Sequence, residues 1–232
     1  MIIGFSTGCL YKTHDALDPT TIDLFRRNDC STVEIMVHRV SDIDKFLALK
    51  PSDLQGFEYI SLHAPIYDGS KKEEYINALR AIERIHTVVR FNTVVLHPDL
   101  FDEFTFLKDI NLPFAIENMD NRKKTCKSVE DMQQVFKEFD VPMIFDINHS
   151  FSNDPTMKLS EDLVKAFHSK IEEVHLSGFD TFHDPLFKTQ QQVILDAIPS
   201  ISLPIIIESV LDSVGDIETE LEYIKKNIKK FK

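Results

Sequence analysis

Eight short apolar runs cross this chain, and six of them close on a residue able to hold a metal ion. After an opening I-I-G-F-S-T (2–7) come V-E-I-M (33–36), Y-I-S-L-H (59–63), V-V-L-H (94–97), F-A-I-E (114–117), M-I-F-D (143–146), E-V-H (173–175) and P-I-I-I-E (204–208). The residues at or near their ends are His63, His97, Glu117, Asp146, His175 and Glu208. A polar or charged group that closes a buried strand is costly unless it is paired or ligated. Six such endings in series point to one shared site.

The runs lack strict alternation, are rich in Ile, Val and Phe, and are bounded by turn residues, as parallel strands buried on both faces are. Their starts near 2, 33, 59, 93, 113, 143, 172 and 204 repeat at a βα interval. Helical signals lie between them. Asp18 and Pro19 open a helix running to about Asn28. Ser41 with Asp44 and Ser70 with Glu73 have capping-box spacing, the second ahead of 71–90, where Ile76, Leu79, Ile82 and Ile85 form a stripe. Weaker signals cover Phe101 to Lys108. Ser128 opens 129–138, Ser160 opens 161–169, and Lys188 to Ile198 and 216–230 follow. Eight βα units predict one α/β domain over 1–232, a single (β/α)8 TIM barrel, with an open doubly wound sheet as runner-up. With only six glycines, the chain has neither G-x-G-x-x-G nor G-x-x-x-x-G-K, so no phosphate loop of those kinds is expected.

The net charge of −12 disfavours a broad electrostatic grip on nucleic acid while leaving room for a local basic groove. Cys9, Cys30 and Cys126 are widely spaced and odd in number, which predicts reduced thiols and a cytoplasmic protein. The chain opens directly on a strand and has no apolar run of membrane-spanning length, so a soluble protein without a membrane partner is expected. The basic end K-K-N-I-K-K-F-K (225–232) suits the C-terminus of a last helix.

In a barrel of this type the strands' C-terminal ends carry the active site, and the six residues fall there. Imidazoles with carboxylates suit zinc, manganese, iron or cobalt, and the absence of Cys from the set argues against a structural zinc site. So many donors exceed what one tetrahedral ion uses: either two metals, or one metal plus acid/base residues. Glu34 and His38 share a face of the second strand and either approach the site or form a buried pair. The basic loop N-R-K-K-T-C-K (121–127) reads first as solvated surface and second as a phosphate contact. Tyr67, Phe101 and Phe182, on loops after strands three, four and seven, either stack on a ligand or cap the core.

Several segments resemble the xylose-isomerase-like TIM barrel superfamily, which includes endonuclease IV and many sugar isomerases and epimerases. They are S-L-H-A-P (61–65), V-L-H-P-D (95–99), A-I-E-N (115–118), F-D-I-N-H (145–149), H-L-S-G (175–178), F-H-D-P (182–185) and I-I-E-S (206–209), spanning nearly the whole chain. The resemblance implies that Glu117, Asp146, His175 and Glu208 bind one metal. The endonuclease IV branch adds a second ion on His63, His97 and a bridging Glu117, and a third on His149 and His183. There the family's D-x-H departs: the chain has Thr181-Phe182-His183, with Asp180 and Asp184 off the family spacing. A two-metal site with zinc is therefore expected, and a third ion is open.

Two chemistries fit. An endonuclease IV-like metallohydrolase would cleave a phosphate ester by in-line attack of an activated water, with His149 and His183 on a third ion or on the phosphate. A sugar or sugar-phosphate isomerase or epimerase would use Glu117 and Glu208 as acid/base pair and His149 to orient the sugar, leaving His63 and His97 without a ligand role. A non-catalytic metal-binding barrel is the third reading. The expected partner is a small phosphate ester or sugar, with DNA disfavoured by net charge and short loops; oligomeric state is not legible.

Overall fold

The computed structural model describes residues 1–228. Eight parallel strands close a barrel in sequence order: β1 (Ile3–Ser6), β2 (Thr32–Met36), β3 (Tyr59–His63), β4 (Thr93–Leu96), β5 (Phe114–Glu117), β6 (Met143–Asp146), β7 (Ile171–Leu176) and β8 (Ile205–Ile207). β8 returns to pair with β1, Ile3 opposite Ile205 and Phe5 opposite Ile207. The open sheet is thereby excluded. Every strand begins within one residue of its sequence-predicted start.

The outer layer holds α1 (Pro19–Arg27), α2 (Ile43–Ala48), α3 (Lys72–Val89), α4 (Val129–Glu138), α5 (Ile147–Asn153), α6 (Lys158–Phe167), α7 (Leu186–Thr189), α8 (Gln192–Asp196) and α9 (Gly215–Asn227). The main core lies between strands and helices, where Phe5, Phe25, Ile22, Leu62, Leu79, Ile82 and Phe145 are almost fully buried. α1 and α4 start as the sequence predicts: the Asp18 carboxylate accepts from Thr20 N–H, and Ser128 and Asp131 exchange a full capping box.

Other helix starts differ. Ser70 does not cap α3. Lys71 precedes that helix in a left-handed conformation (φ 49°), and the Ser70 hydroxyl donates to Asp68 instead. Ser160 lies inside α6, which begins after left-handed Met157 (φ 64°). Ser41 sits in a 3-10 turn, Val40–Asp42, where Asp42 accepts from Arg39 N–H, and α2 follows. The stretch 101–108 forms only a 3-10 turn, Thr105–Leu107. Left-handed Gln190 (φ 53°) divides 188–198 into α7 and α8. α9 ends at Asn227, and residues 229–232 of the basic end lie outside the described residues.

Strand parity sends alternate side chains into the barrel's lumen. Contacts between non-adjacent strands identify them: Ser61 of β3 donates to Glu173 of β7, and Glu34 of β2 faces His175 of β7. Val95, Ala115 and Ile144 form a small apolar cluster separate from the outer core. Barrel lumens are usually filled by branched aliphatics. Here the lumen also holds Glu34, Ser61, Glu173 and His175, each fully buried, below the open C-terminal end. No helix among the described residues is long and apolar enough to cross a membrane. All three cysteines are buried and unpaired, and burial pushes the Cys9 thiol well above its ordinary value, so it is no nucleophile.

Candidate metal centre

Parity and strand length together place the donors. β3, β5, β6 and β7 each point a lumen-facing residue at the same level: His63, Glu117, Asp146 and His175. His97 and Glu208 follow the last residues of β4 and β8. All of the sequence-predicted donors come together, and their ligand atoms form overlapping groups within 4.8 Å: His63, His97 and Glu117; Glu117, Asp146, His175 and Glu208; Asp146, His149 and His183.

Glu117 joins the first two groups through opposite oxygens. Its Oε2 lies 2.8 Å from His97 Nε2 and 3.9 Å from His63 Nε2, and those two nitrogens are 3.0 Å apart. Its Oε1 lies 3.2 Å from His175 Nδ1, which is 3.3 Å from Glu208 Oε1. One carboxylate thus faces two donor clusters. At the outer end, His149 Nε2 is 3.5 Å from Asp146 Oδ2, and the rings of His149 and His183 are 5.4 Å apart.

The second ring nitrogen of most of these histidines is fixed by a partner, which sets the tautomer. His63 Nδ1–H donates to the Ala64 carbonyl at 2.9 Å and His149 Nδ1–H to the Asn118 carbonyl at 2.8 Å, which leaves Nε2 lone pairs facing the site. His175 is the reverse: Nε2–H donates to Glu173 Oε1 at 2.8 Å, leaving Nδ1. His183 Nδ1 pairs with the Ser177 hydroxyl at 2.9 Å. Buried Glu117 Oε2 and Asp146 Oδ2 make no hydrogen bond with the protein. Imidazole and carboxylate donors that converge with two oxygens left unsatisfied fit a cation. The donor set therefore fits a divalent metal, and Glu117 belongs to both inner groups.

Without an ion, electrostatics divide the set. Burial pushes His63 down to about 3, helped by neighbouring His97, and burial pushes His183 down to about 3, helped by His149. Both stay neutral, as ligands must. Burial also raises Asp146 well above the carboxylate range, with Glu117 adding to it, and takes Glu208 up to about 8. For Glu117 burial works upward too, but the charges of His175 and His97 outweigh it and hold the group well below its ordinary value. His175 runs against its own desolvation and is held well above the usual imidazole value by Glu208, Glu34 and Glu117.

Some sequence expectations change. Asp184 cannot replace the missing family Asp: its Oδ2 accepts from the backbone N–H groups of Asp180, Thr181 and Phe182, clasping the loop. Asp180 is exposed. The carboxylates nearest His149 Nε2 are instead Asp146 and Asp120, whose Oδ2 is 3.9 Å away. Glu34 lies in the lumen, 3.5 Å from His175 Nε2, whereas His38 lies past the end of β2 and is exposed. Tyr67 and Phe101 pack on Tyr75, so they cap core, while Phe182 stays exposed at the mouth. The basic loop is partly paired: Arg122 with Asp120, and Lys123 with Asp99 at 3.0 Å.

Sequence reasoning assigned no role to Asn118, Asn148 and Glu173. Asn118 exchanges two 2.9 Å bonds with the Asp146 backbone, tying β5 to β6 at the ligand level. Asn148 Nδ2 donates to the carbonyls of Gly178 and Phe182 and so seats the loop carrying His183. Neither had a signal beyond adjacency to a ligand. Glu173 did: it stands two residues before His175 on the same strand, hence on the same face.

No protein-family model matches the chain, and no curated protein does. Solved structures do. Endonuclease IV from Thermus thermophilus superposes with a TM-score of 0.70 at 12% identity, over 97% of this chain and 98% of that one. D-allulose 3-epimerase from Methylomonas sp. gives 0.64 at 14%, over 98% of each chain. A xylose isomerase-like TIM barrel protein from Mycobacterium smegmatis, solved in complex with magnesium, gives 0.53 at 11%, over 94% of this chain and 90% of that one. The chain has the (β/α)8 barrel fold of these structures.

Proposed function

We propose that this protein is a divalent-metal-dependent hydrolase of phosphate esters with a two-ion centre, zinc being the expected metal. One observation carries the reading: Glu117 presents Oε2 to His63 and His97 and Oε1 to His175 and Glu208. A sugar isomerase needs only the second cluster, and the first is then idle. Ions held by these residues supply Lewis acidity toward a phosphoryl oxygen and lower the pKa of water. The chain's own groups do the rest. Glu117 sets the spacing of the two donor clusters. Glu208, partly exposed at the mouth beside His175, is placed to take a proton from the attacking water. His149, oriented by the Asn118 carbonyl, faces the outer edge, where the phosphate would lie.

The likeness to the epimerase and the opposed shifts of Glu117 and Glu208 favour a second reading, a sugar or sugar-phosphate isomerase with these two as acid/base pair. Metal counting separates the two. The hydrolase reading expects at least two ions per chain by elemental analysis and hydrolysis of bis(p-nitrophenyl) phosphate. His63→Ala should then lose one ion and reduce turnover at least about 100-fold. A protein that holds one ion, and whose His63→Ala variant keeps full activity on a sugar, would be an isomerase.

A further inference from the structure

The loop after β5 places a cation beside the outer end of the donor set. The Asp120 carboxylate grips Arg122 through its planar edge, accepting from Nε at 2.9 Å and from Nη2 at 2.7 Å, and accepts the Arg122 backbone N–H as well. Asp120 is almost fully buried, while the Arg122 side chain is 57% exposed. The same guanidinium lies 4.2 Å over the ring of Phe182, on the loop after β7. Phe182 in turn stands edge-on to His183 at 4.2 Å, and His183 adjoins His149. An unbroken line of contacts therefore runs from Arg122 to the outer donors, His183 and His149.

A guanidinium has two usable edges and five N–H donors. The Nε/Nη2 edge is spent on Asp120. Among the described residues nothing accepts from Nη1, so the Nη1/Nη2 edge faces outward with its fork intact. A fork held by a carboxylate on one edge and an aromatic face below keeps little of its rotamer freedom, so a ligand gains most of each new bond. The ligand that matches such a fork is planar-bidentate and anionic, a phosphate or a carboxylate. Net charge decides where such recognition can occur. At −12 overall the protein repels an anion at long range, so capture must rest on a local, oriented donor rather than on a field.

We propose that the free edge of Arg122, backed by Asp120 and Phe182, is a phosphoryl-binding subsite at the mouth of the barrel, and that the substrate carries a phosphate group that this edge grips. The subsite rests on the phosphate-ester reading for its place in catalysis, yet it serves a sugar phosphate equally well. Its ligand bonds come from Arg122. Asp120 and Phe182 are positioning residues.

The probe is inorganic phosphate, titrated calorimetrically at fixed ionic strength into protein loaded with zinc to a stoichiometry checked by elemental analysis. Arg122→Met is expected to weaken phosphate at least about tenfold with zinc content unchanged. Arg122→Lys, a point charge without the fork, should fall between the two. Lys124→Met, on the same loop and exposed, should stay within about twofold. Equal affinity in Arg122→Met and the parent protein would overturn the proposal, as would loss of zinc from both Arg122 variants, which would make the residue a support of the metal site. Failure of the hydrolytic reading is a separate result. A protein holding one ion and cleaving no ester, in which Arg122→Met still weakens phosphate, keeps the subsite and loses the hydrolase.

Discussion

Glu173 shows how much a single buried carboxylate can decide. Its Oε1 accepts hydrogen bonds from His175 Nε2–H and the Ser61 hydroxyl, while its Oε2 makes none. Glu34, with both oxygens unpartnered, lies 3.5 Å from the same imidazole nitrogen. For folding alone this is a poor arrangement, because buried charges without full pairing are destabilising. For a metal site it is useful: a carboxylate behind an imidazole fixes its tautomer and raises its basicity as a ligand. Glu173→Gln should weaken zinc binding about 10- to 100-fold in chelator competition. The metal-free protein should meanwhile unfold at a lower urea concentration, because His175, whose proton affinity is raised, loses one partner of a buried pair. Unchanged zinc affinity would show that His175 does not need this partner.

At the scale of elements, strand positions were legible because eight apolar runs between turn residues leave few alternative registers. The donors were legible for a related reason, since a His, Asp or Glu ending an Ile- or Val-rich run breaks its pattern. Helix starts at Ser70 and Ser160 were misread because Lys71 and Met157 take left-handed conformations, and non-glycine residues give no sign of this. α5 was hidden because Asp146 ends β6 and also caps that helix, accepting from His149 N–H at 2.7 Å. Glu173 and Asp120 were unread although their partners His175 and Arg122 stand two residues on, because a charged residue beside another carries no mark that the two side chains meet. Barrel closure raises its own requirement at Gly4, which pairs with Thr32 on one side and Ile206 on the other. A Cβ there would lie 1.8 Å from the Thr32 carbonyl oxygen, a backbone atom that cannot swing away. Gly in a strand often marks such a close approach. Gly4→Ala should therefore cost about 3 kcal/mol or more, seen as a lower urea midpoint. A change within about 0.5 kcal/mol would mean that β1 and β2 separate easily.

For the molecule as a whole, the lumen concentrates carboxylates that a metal would neutralise, which links stability, metal and pH. Without metal, Glu208 titrates at about 8 in the fold, against an ordinary carboxylate value near 4.3 when unfolded. Between those values the folded state holds a proton that the unfolded chain has released, so stability falls as pH rises. His175, with its raised affinity, has the same sign: its contribution is full below the unfolded imidazole pKa and is lost above it. His63 and His183 have the opposite sign. Their values near 3 mean that the unfolded chain takes up protons first, so they destabilise only as pH falls below about 6.5. Their effect fades over about one unit above that pH, and beyond it only the downward slope remains. Metal-free protein should therefore lose about 2 kcal/mol of stability between pH 6.5 and 8 from Glu208 alone, with His175 adding to it. Bound metal reverses the trend. It competes with those protons, binds more tightly as pH rises, and at 100 times its dissociation constant adds about 2.7 kcal/mol. Urea unfolding at both pH values, in chelator and in zinc, should give slopes of opposite sign. Parallel slopes would mean that the ion does not occupy the carboxylates of the lumen mouth.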